Sequence, residues 1–544
     1  MINVVYCGQF RDFTGYGVAA RGYLKSFDEY ERVSQRDRER DNFGNQKVNL
    51  KIYSIVGADG SKKISDEEMS LIEKYEFKND EEIQEFIKQD YICVWHIPSA
   101  LSMFCDDRFS CTPGCSKSFK KLMNCSSENV HFLVWETDEI PQEWKTAINY
   151  WNPSKILTAC EWNKKSFDKV RETKIVPHLI EESTTGTNKI LESFNLEDKF
   201  VVLSISQWSE RKGFDFLLKA FISELGDKED AVLLIKTYEN YDANSQSIQK
   251  EIKYYKDIIR VDNKQNNIML LMDFLDEKSK NYLYEVSDIF ALLSRGEGFS
   301  LPMAESIMFK TPVLAPVAGG HIDYLDPSHS FLVDGMWDTC VSHRLPYDID
   351  GKWFIPNVSS AREQLNKAYQ LWKKDPSSLK LIGQKAFDHV KESGYDRYSI
   401  GRRFAQSLES EPKNISNLKT KIRHLKKLMA QTDDIDKKLS ILKDSFKGER
   451  CYILSCGPSI NDINNDKFKE IIKDELVFSV KQVVELFENE TDFHFFNCAN
   501  LPIPKEKYLL QNYQYKQDLI SVASSNYPLG SRWSLNQKND LFFK

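Results

Sequence analysis

The chain is punctuated by short, almost continuously apolar runs, with charged, helix-length stretches between them. From the start the runs are "INVVY", "LKIYSIV", "YICVWHI", "VHFLVWE" and "KILTAC", separated by segments such as "SDEEMSLIEKYEFKNDEEIQEFIKQD". Strands that are apolar on both sides must be covered on both sides. The pattern therefore predicts an α/β fold, with parallel sheets wrapped by helices. A second series of like construction begins near Phe200. Its strands are "FVVLSIS", "AVLLIKTY", "IMLLMDF", "IFALLSR" and "PVLAPV", and "GFDFLLKAFISEL" is an amphipathic helix. The two series share no residue-level repeat, so the likeness is architectural. At 544 residues the chain is also too long for one hydrophobic core.

Four parts are expected. Residues 1–185 form a Rossmann-like unit, and 186–412 a second one closed by helices running from about Ser359 to Leu408. Residues 413–447 are a Lys-rich helical linker. Residues 448–544 open a third α/β unit with "CYILSCGPSINDIN", a strand, a tight Gly-Pro-Ser turn and a helix. That part is short for a complete doubly wound domain and reads as a truncated one.

Bulk properties narrow the function classes. A net charge of −7 disfavours long-range attraction to nucleic acid. No run of 18 apolar residues appears, so no transmembrane segment is expected, while peripheral membrane contact stays open. "MINVVYCGQF" reads as a buried strand and not as a secretory signal. Eleven scattered cysteines suit free thiols in a reducing, cytoplasmic setting. Cys105, Cys111, Cys115 and Cys125 could be weighed as a zinc set, but their irregular spacing without a CxxC pair favours a cysteine-rich insertion.

The chemistry concentrates in "RGEGFSLPMAESI", where a strand, a glycine-broken loop and a helix follow one another. Ligands of open α/β sheets bind at the carboxyl ends of strands. Pro302 suits a first helical turn, and Gly296 and Gly298 let the backbone approach a ligand closely. The N–H groups of Phe299, Ser300 and Leu301 then make an anion site, worth roughly 0.3–1 kcal/mol per charge from the dipole alone. A diphosphate would fit. Glu297 stands in the loop, and Glu305, on the first turn, is placed to accept bonds from a ribose diol. Acids in a first turn also simply complement the helix dipole. Upstream, Arg211 and Lys212 precede Gly213 at another strand-to-helix turn and could neutralise a diphosphate leaving group.

Together, "EGFSLPMAE" with its E-x7-E spacing, "RKGFDFLLKAF" and "PVLAPVAGGHIDYL" with Gly319-Gly320 resemble retaining glycosyltransferases of the large glycogen synthase-like group, family four, with the GT-B fold. The resemblance covers roughly Met1 to Leu408. It implies that Glu297 contacts the donor sugar, Glu305 the ribose and Lys212 the diphosphate. The family often carries an arginine five residues before that lysine, where this chain has Gln207. Gln207 cannot neutralise phosphate, so either Arg211 takes over or the donor is held differently.

In the first unit, Gly15 and Gly17 flank Tyr16 after the first strand, like the glycine-rich loop that family members use near the interdomain cleft. "VWETDEIPQEW" is similar to a segment of some members, and its Glu136 and Asp138 are candidates for binding or deprotonating the acceptor. His96 ends a strand, where it either positions the donor sugar or is a structural histidine. "TACEWNKKSF" resembles the family's "PSxWNxxxF" region, with Trp162 either near the cleft or in the core. In the third unit, "YILSCGPSINDI" weakly resembles the opening of bacterial sialyltransferase-like domains. There Gly457, Pro458 and Ser459 would form a nucleotide loop or an ordinary turn.

The implied activity is retaining transfer of a sugar from a nucleotide diphosphate sugar to an acceptor hydroxyl, with no metal and no further cofactor in the scheme. The acceptor would be a glycan, a lipid-linked sugar or a protein. Two alternatives are a non-catalytic scaffold that binds glycan or a partner, and a sugar-nucleotide epimerase.

Overall fold

The computed structural model describes residues 2–40, 47–55, 64–98, 117–186, 194, 196–238, 243–259, 267–342, 347–409, 422, 425–426, 429, 435–443, 445–446, 451–455, 464–472, 475–480, 486–487, 490–497, 520–524 and 541–543. The chain divides into two compact units. One comprises 1–78, 94–116 and 129–408, and the other 79–93, 117–128 and 409–544.

The apolar runs become strands. β1 (Ile2–Gly8), β2 (Val48–Ser54), β3 (Ile92–His96), β4 (Glu128–Phe132), β5 (Lys155–Thr158) and β6 (Thr173–Ile175) form one sheet in the order β2-β1-β3-β4-β5-β6. β7 (Phe200–Ile205), β8 (Ala231–Lys236), β9 (Ile268–Leu271), β10 (Ile289–Ala291), β11 (Val313–Pro316) and β12 (Phe331–Val333) form the other, ordered β12-β11-β10-β7-β8-β9. Strand pairs such as β1 with β2 and β7 with β10 are parallel. These are two doubly wound α/β sheets, the GT-B class that the apolar pattern and the resemblance predict. An antiparallel hairpin, β13 (Gly335–Thr339) and β14 (Lys352–Pro356), follows the second sheet.

Six helices matter for the site: α1 (Gly15–Arg40), α2 (Glu161–Phe167), α3 (Phe214–Leu225), α4 (Glu277–Glu285), α5 (Leu301–Met308) and α6 (Arg397–Leu408). Successive residues of the second sheet feed opposite layers. Phe200, Val202, Leu233 and Ile235 pack with α3 and the helix Val358–Lys374. Val201, Leu203 and Leu234 pack with Met303, Ala304 and Ile307 of α5 and with Tyr284. Each such aliphatic side chain contributes about 1.5–3 kcal/mol of burial. Both faces are thus covered, as near-continuous apolar strands require.

The last of these six, α6, returns to the first sheet's layer. Phe404 meets Phe27 edge-on at 4.6 Å, and Gly401 approaches so closely that a Cβ there would lie 2.1 Å from the Ser26 carbonyl oxygen. In the other unit, β15 (Cys451–Leu454), β16 (Leu476–Val480), β17 (Phe493–Asn497), β18 (Ile520–Ser524) and β19 (Leu541–Phe543) pair in parallel in sequential order. Ile422, Met429, Leu476 and Phe493 form a small core there. Gly457, Pro458 and Ser459, and Cys105, Cys111 and Cys115, lie outside the described residues; Cys125 ends the helix Lys117–Cys125.

Candidate active site

In the second sheet the winding reverses between β7 and β10, which opens a crevice at the carboxyl ends of those two strands. Both segments singled out in the sequence lie there. After β7 the chain makes one 3₁₀ turn, Glu210–Lys212, and enters α3 through Gly213 at φ +66°. A Cβ at Gly213 would sit 1.8 Å from the Leu293 carbonyl oxygen, so the turn is pressed against the chain leaving β10. There the Arg295 N–H donates to the Arg211 carbonyl at 2.7 Å. The Arg295 guanidinium forks onto the Asp215 carboxylate at 2.9 and 3.0 Å, above the Phe216 ring. The two loops therefore form one block.

Within that block Glu297 is buried and faces two cations. Lys212 Nζ donates to Glu297 Oε1 at 2.6 Å, and Arg211 Nη1 lies 3.3 Å from the same oxygen. Arg211 also donates to the Gly296 carbonyl at 2.8 Å, and its Nη2 is 3.6 Å from Glu136 Oε1. Glu297 Oε2 receives no hydrogen bond among the described residues. Burial disfavours the Glu297 carboxylate, but the Lys212 and Arg211 charges outweigh it and hold its pKa below the ordinary value. Burial lowers the Lys212 pKa, with Glu297 opposing and Arg211 adding to the shift. Burial also works against the Arg211 cation, but Tyr347, Glu136 and Glu297 together raise its pKa.

Backbone contacts fix the Glu297 loop. A Cβ on Gly296 would lie 1.8 Å from the Glu136 carbonyl oxygen. The Cys160 thiol donates to the Gly298 carbonyl at 2.9 Å, and the Gly320 N–H to the Glu297 carbonyl at 2.8 Å. The Tyr324 hydroxyl lies 2.7 and 2.8 Å from the Phe299 and Ser300 carbonyl oxygens. Ser300 caps α5 with a left-handed φ of 69°, and its buried Oγ has no partner among the described residues. The first N–H groups of α5, at Leu301 and Met303, have no intrahelical partners.

Glu305 is the fifth residue of α5, one turn further in than its expected place. Its Oε2 accepts bonds from Lys280 Nζ at 2.7 Å and Tyr284 Oη at 2.8 Å, both on α4. Oε1 receives none among the described residues. Burial, then the neighbouring Glu305 charge, pushes the Tyr284 phenol upward.

The first sheet reverses between β1 and β3, and Gly15, Gly17 and His96 follow or end those two strands. Gly17 leaves no room for a side chain, since a Cβ would lie 2.2 Å from the Asp12 carbonyl oxygen, whereas Gly15 has open space. His96 bonds through Nδ1 to the Tyr6 hydroxyl at 2.7 Å, and its buried Nε2 has no partner among the described residues. Burial drives its pKa well down, with His178 and His131 adding to the shift. The Tyr16 ring sits 5.3 Å from that of His96. Burial and then Glu136 raise the Tyr16 phenol. Glu136 itself lies beside Arg211 and 3.5 Å from the Tyr347 hydroxyl.

The candidates do not all converge. Asp138 Oδ1 accepts the Lys352 N–H at 2.6 Å, so that carboxylate holds β14 in place. Gln207 has no side-chain hydrogen bond among the described residues. The Phe299 side chain enters the core between His178 and Tyr324. No sequence motif points to Lys280, Tyr284, Tyr347 or His321. Lys280 and Tyr284 are one helical turn apart, a spacing that puts them on one face but says nothing about which carboxylate they meet. His321 holds its Nε2 2.7 Å from the Pro316 carbonyl, and burial lowers its pKa.

Residues 187–338, the span that carries Arg211, Lys212, Glu297 and Glu305, match the family model described as "Glycosyl transferases group 1". The β7/β10 crevice thus lies within the segment that matches this model. No curated protein matches the chain. Among solved structures the chain is similar to HepE of Anabaena in complex with UDP and glucose, at 14% identity over 75% of this chain and 99% of that one, with a TM-score of 0.46. It is also similar to a glycosyltransferase from Rickettsia africae, at 15% identity over 76% and 99%, with a TM-score of 0.47.

Proposed function

We propose that this protein transfers a hexosyl group from a nucleoside diphosphate sugar to an acceptor hydroxyl, with retention at the anomeric carbon, as a family-four enzyme of glycan synthesis in the cytoplasm. The observation that carries the reading is the buried cluster of Lys212, Arg211 and Glu297 at the β7/β10 crevice, beside the open N-terminus of α5. A diphosphate enters between that helix end and the two cations. The ribose diol meets Glu305 Oε1, because Lys280 and Tyr284 already occupy Oε2. A donor-sugar hydroxyl meets Glu297 Oε2.

As the bond from the anomeric carbon to phosphate breaks, charge grows on the departing diphosphate, and Lys212 and Arg211 stabilise it in a site shielded from water. Arg211 takes the part that Gln207 cannot. Glu136 holds the acceptor hydroxyl, His96 positions the donor sugar through its open Nε2, and closure of the two halves excludes water. In this reading 1–185 is the acceptor side and 186–412 the donor side.

The test incubates the wild-type chain with a panel of nucleoside diphosphate sugars and acceptors, with mass detection and NMR of the product anomeric proton. Acceptor-dependent release of nucleoside diphosphate with the donor's configuration kept is expected. Release from no donor would favour a scaffold, and an inverted product would refute retention.

A further inference from the structure

We propose that Trp162 and Trp337 form an aromatic platform that seats a neutral saccharide, the acceptor chain, beside the transfer site; the acceptor role rests on the transferase reading above. Trp337 lies on β13, every residue of which is exposed, and 41% of its own surface is open to solvent. Its indole is parallel to that of Trp162, with centroids 5.1 Å apart and planes 5° apart. Phe354, its cross-strand partner on β14, meets it edge-to-face at 5.3 Å. The large ring is therefore held in one orientation while much of it stays in water, an arrangement that suits a binding surface better than a core.

The platform adjoins the crevice by short covalent steps. Trp162 is two residues beyond Cys160, whose thiol bonds the Gly298 carbonyl next to Glu297. Between them, the Glu161 N–H donates to Asp323 Oδ2 at 2.8 Å, just past the Gly319-Gly320 turn that holds the Glu297 carbonyl. The hairpin that carries Trp337 is tied to both sides of the site. The Phe354 N–H donates to the Arg295 carbonyl at 2.9 Å, and the Lys352 N–H to Asp138.

The chemistry selects the occupant. A pyranose offers a C–H face to an indole and a rim of hydroxyls to carboxylates. Next to Trp162 the acids Glu161 and Asp323 are exposed, with Lys165 near Asp323. Those acids disfavour phosphate-rich ligands and offer acceptors to the hydroxyls of a neutral sugar.

The test compares wild type with Trp337→Ala and Trp337→Tyr on an array of neutral gluco-, galacto-, manno- and N-acetylhexosaminyl oligosaccharides. Tryptophan fluorescence titration follows with the best-bound oligosaccharide, and calorimetry with UDP. Wild type should bind a subset of the saccharides with a change in indole emission. Trp337→Ala should lose about tenfold or more in affinity for them, Trp337→Tyr should retain most of it, and the UDP affinity of all three should be alike. An array that wild type leaves blank, unchanged saccharide affinity in Trp337→Ala, or parallel loss of saccharide and UDP affinity would each overturn the platform. Saccharide binding by a wild type that ignores every nucleoside diphosphate would refute the transferase reading and leave the platform standing.

Discussion

The Lys212 ammonium lies 2.6 Å from the Glu297 carboxylate, with the two side chains only 13% and 5% exposed. Each charge justifies the burial of the other. Removing one partner of such a pair costs about 3–5 kcal/mol, whereas neutralising both can be nearly neutral. Arg211, 3.3 Å from the same oxygen, retains part of that compensation, so Lys212→Met should lower stability by up to about that amount, and Lys212→Met with Glu297→Gln should recover most of it, while neither protein transfers sugar. Urea unfolding and donor turnover measure the two effects. A double variant no more stable than the single one would contradict a coupled pair.

Tyr284 and Lys280 place both their bonds on one oxygen of Glu305. If those bonds aim the other oxygen at a ribose, Tyr284→Phe should raise the donor KM about tenfold with little change in kcat, in line with the roughly 1.5–3 kcal/mol of a bond to a charged group and with Lys280 still present. A fall in kcat at unchanged KM would place Tyr284 elsewhere in the mechanism.

Two glycines that look alike in the sequence should behave differently. A methyl group on Gly296 would meet the Glu136 carbonyl oxygen at 1.8 Å, backbone against backbone, while one on Gly15 would meet nothing within 4 Å. Gly296→Ala should drop the melting temperature by several degrees and turnover by about a hundredfold or more. Gly15→Ala should shift stability by less than about 1 kcal/mol. Equal effects of the two substitutions would mean that the Gly296 loop is not fixed as described.

Asp288, just before β10, accepts the Val201 N–H at 2.8 Å, and burial pushes its pKa up to about 6, with that bond and Lys380 opposing. A carboxyl raised in the folded state contributes stability below its ordinary pKa, near 4, and loses it as pH rises through about 6. Asp288→Asn keeps a carbonyl for Val201. It should be more stable than wild type by about 1–3 kcal/mol above pH 6, and the two should converge below about pH 4. Chemical unfolding across that range checks the sign.

Much of this was readable in the chain because short-range patterns carry it. Apolar runs such as "FVVLSI" announced the sheets. The glycines and acids of "RGEGFSLPMAE" announced a loop and helix start at a strand end, where α/β sheets bind ligands. The unread part is long-range. Lys280 meets Glu305, and the Lys352 N–H meets Asp138, only through tertiary packing. Trp162 reads equally as core or cleft in the sequence, and its stacking on Trp337 is a contact between segments far apart in the chain.

The most direct test of the central claim is turnover of nucleoside diphosphate sugars at saturating donor by Lys212→Ala beside wild type. If Lys212 stabilises the departing diphosphate, kcat should fall by about a hundredfold or more. A folded Lys212→Ala protein that turns over at a near wild-type rate would contradict the account.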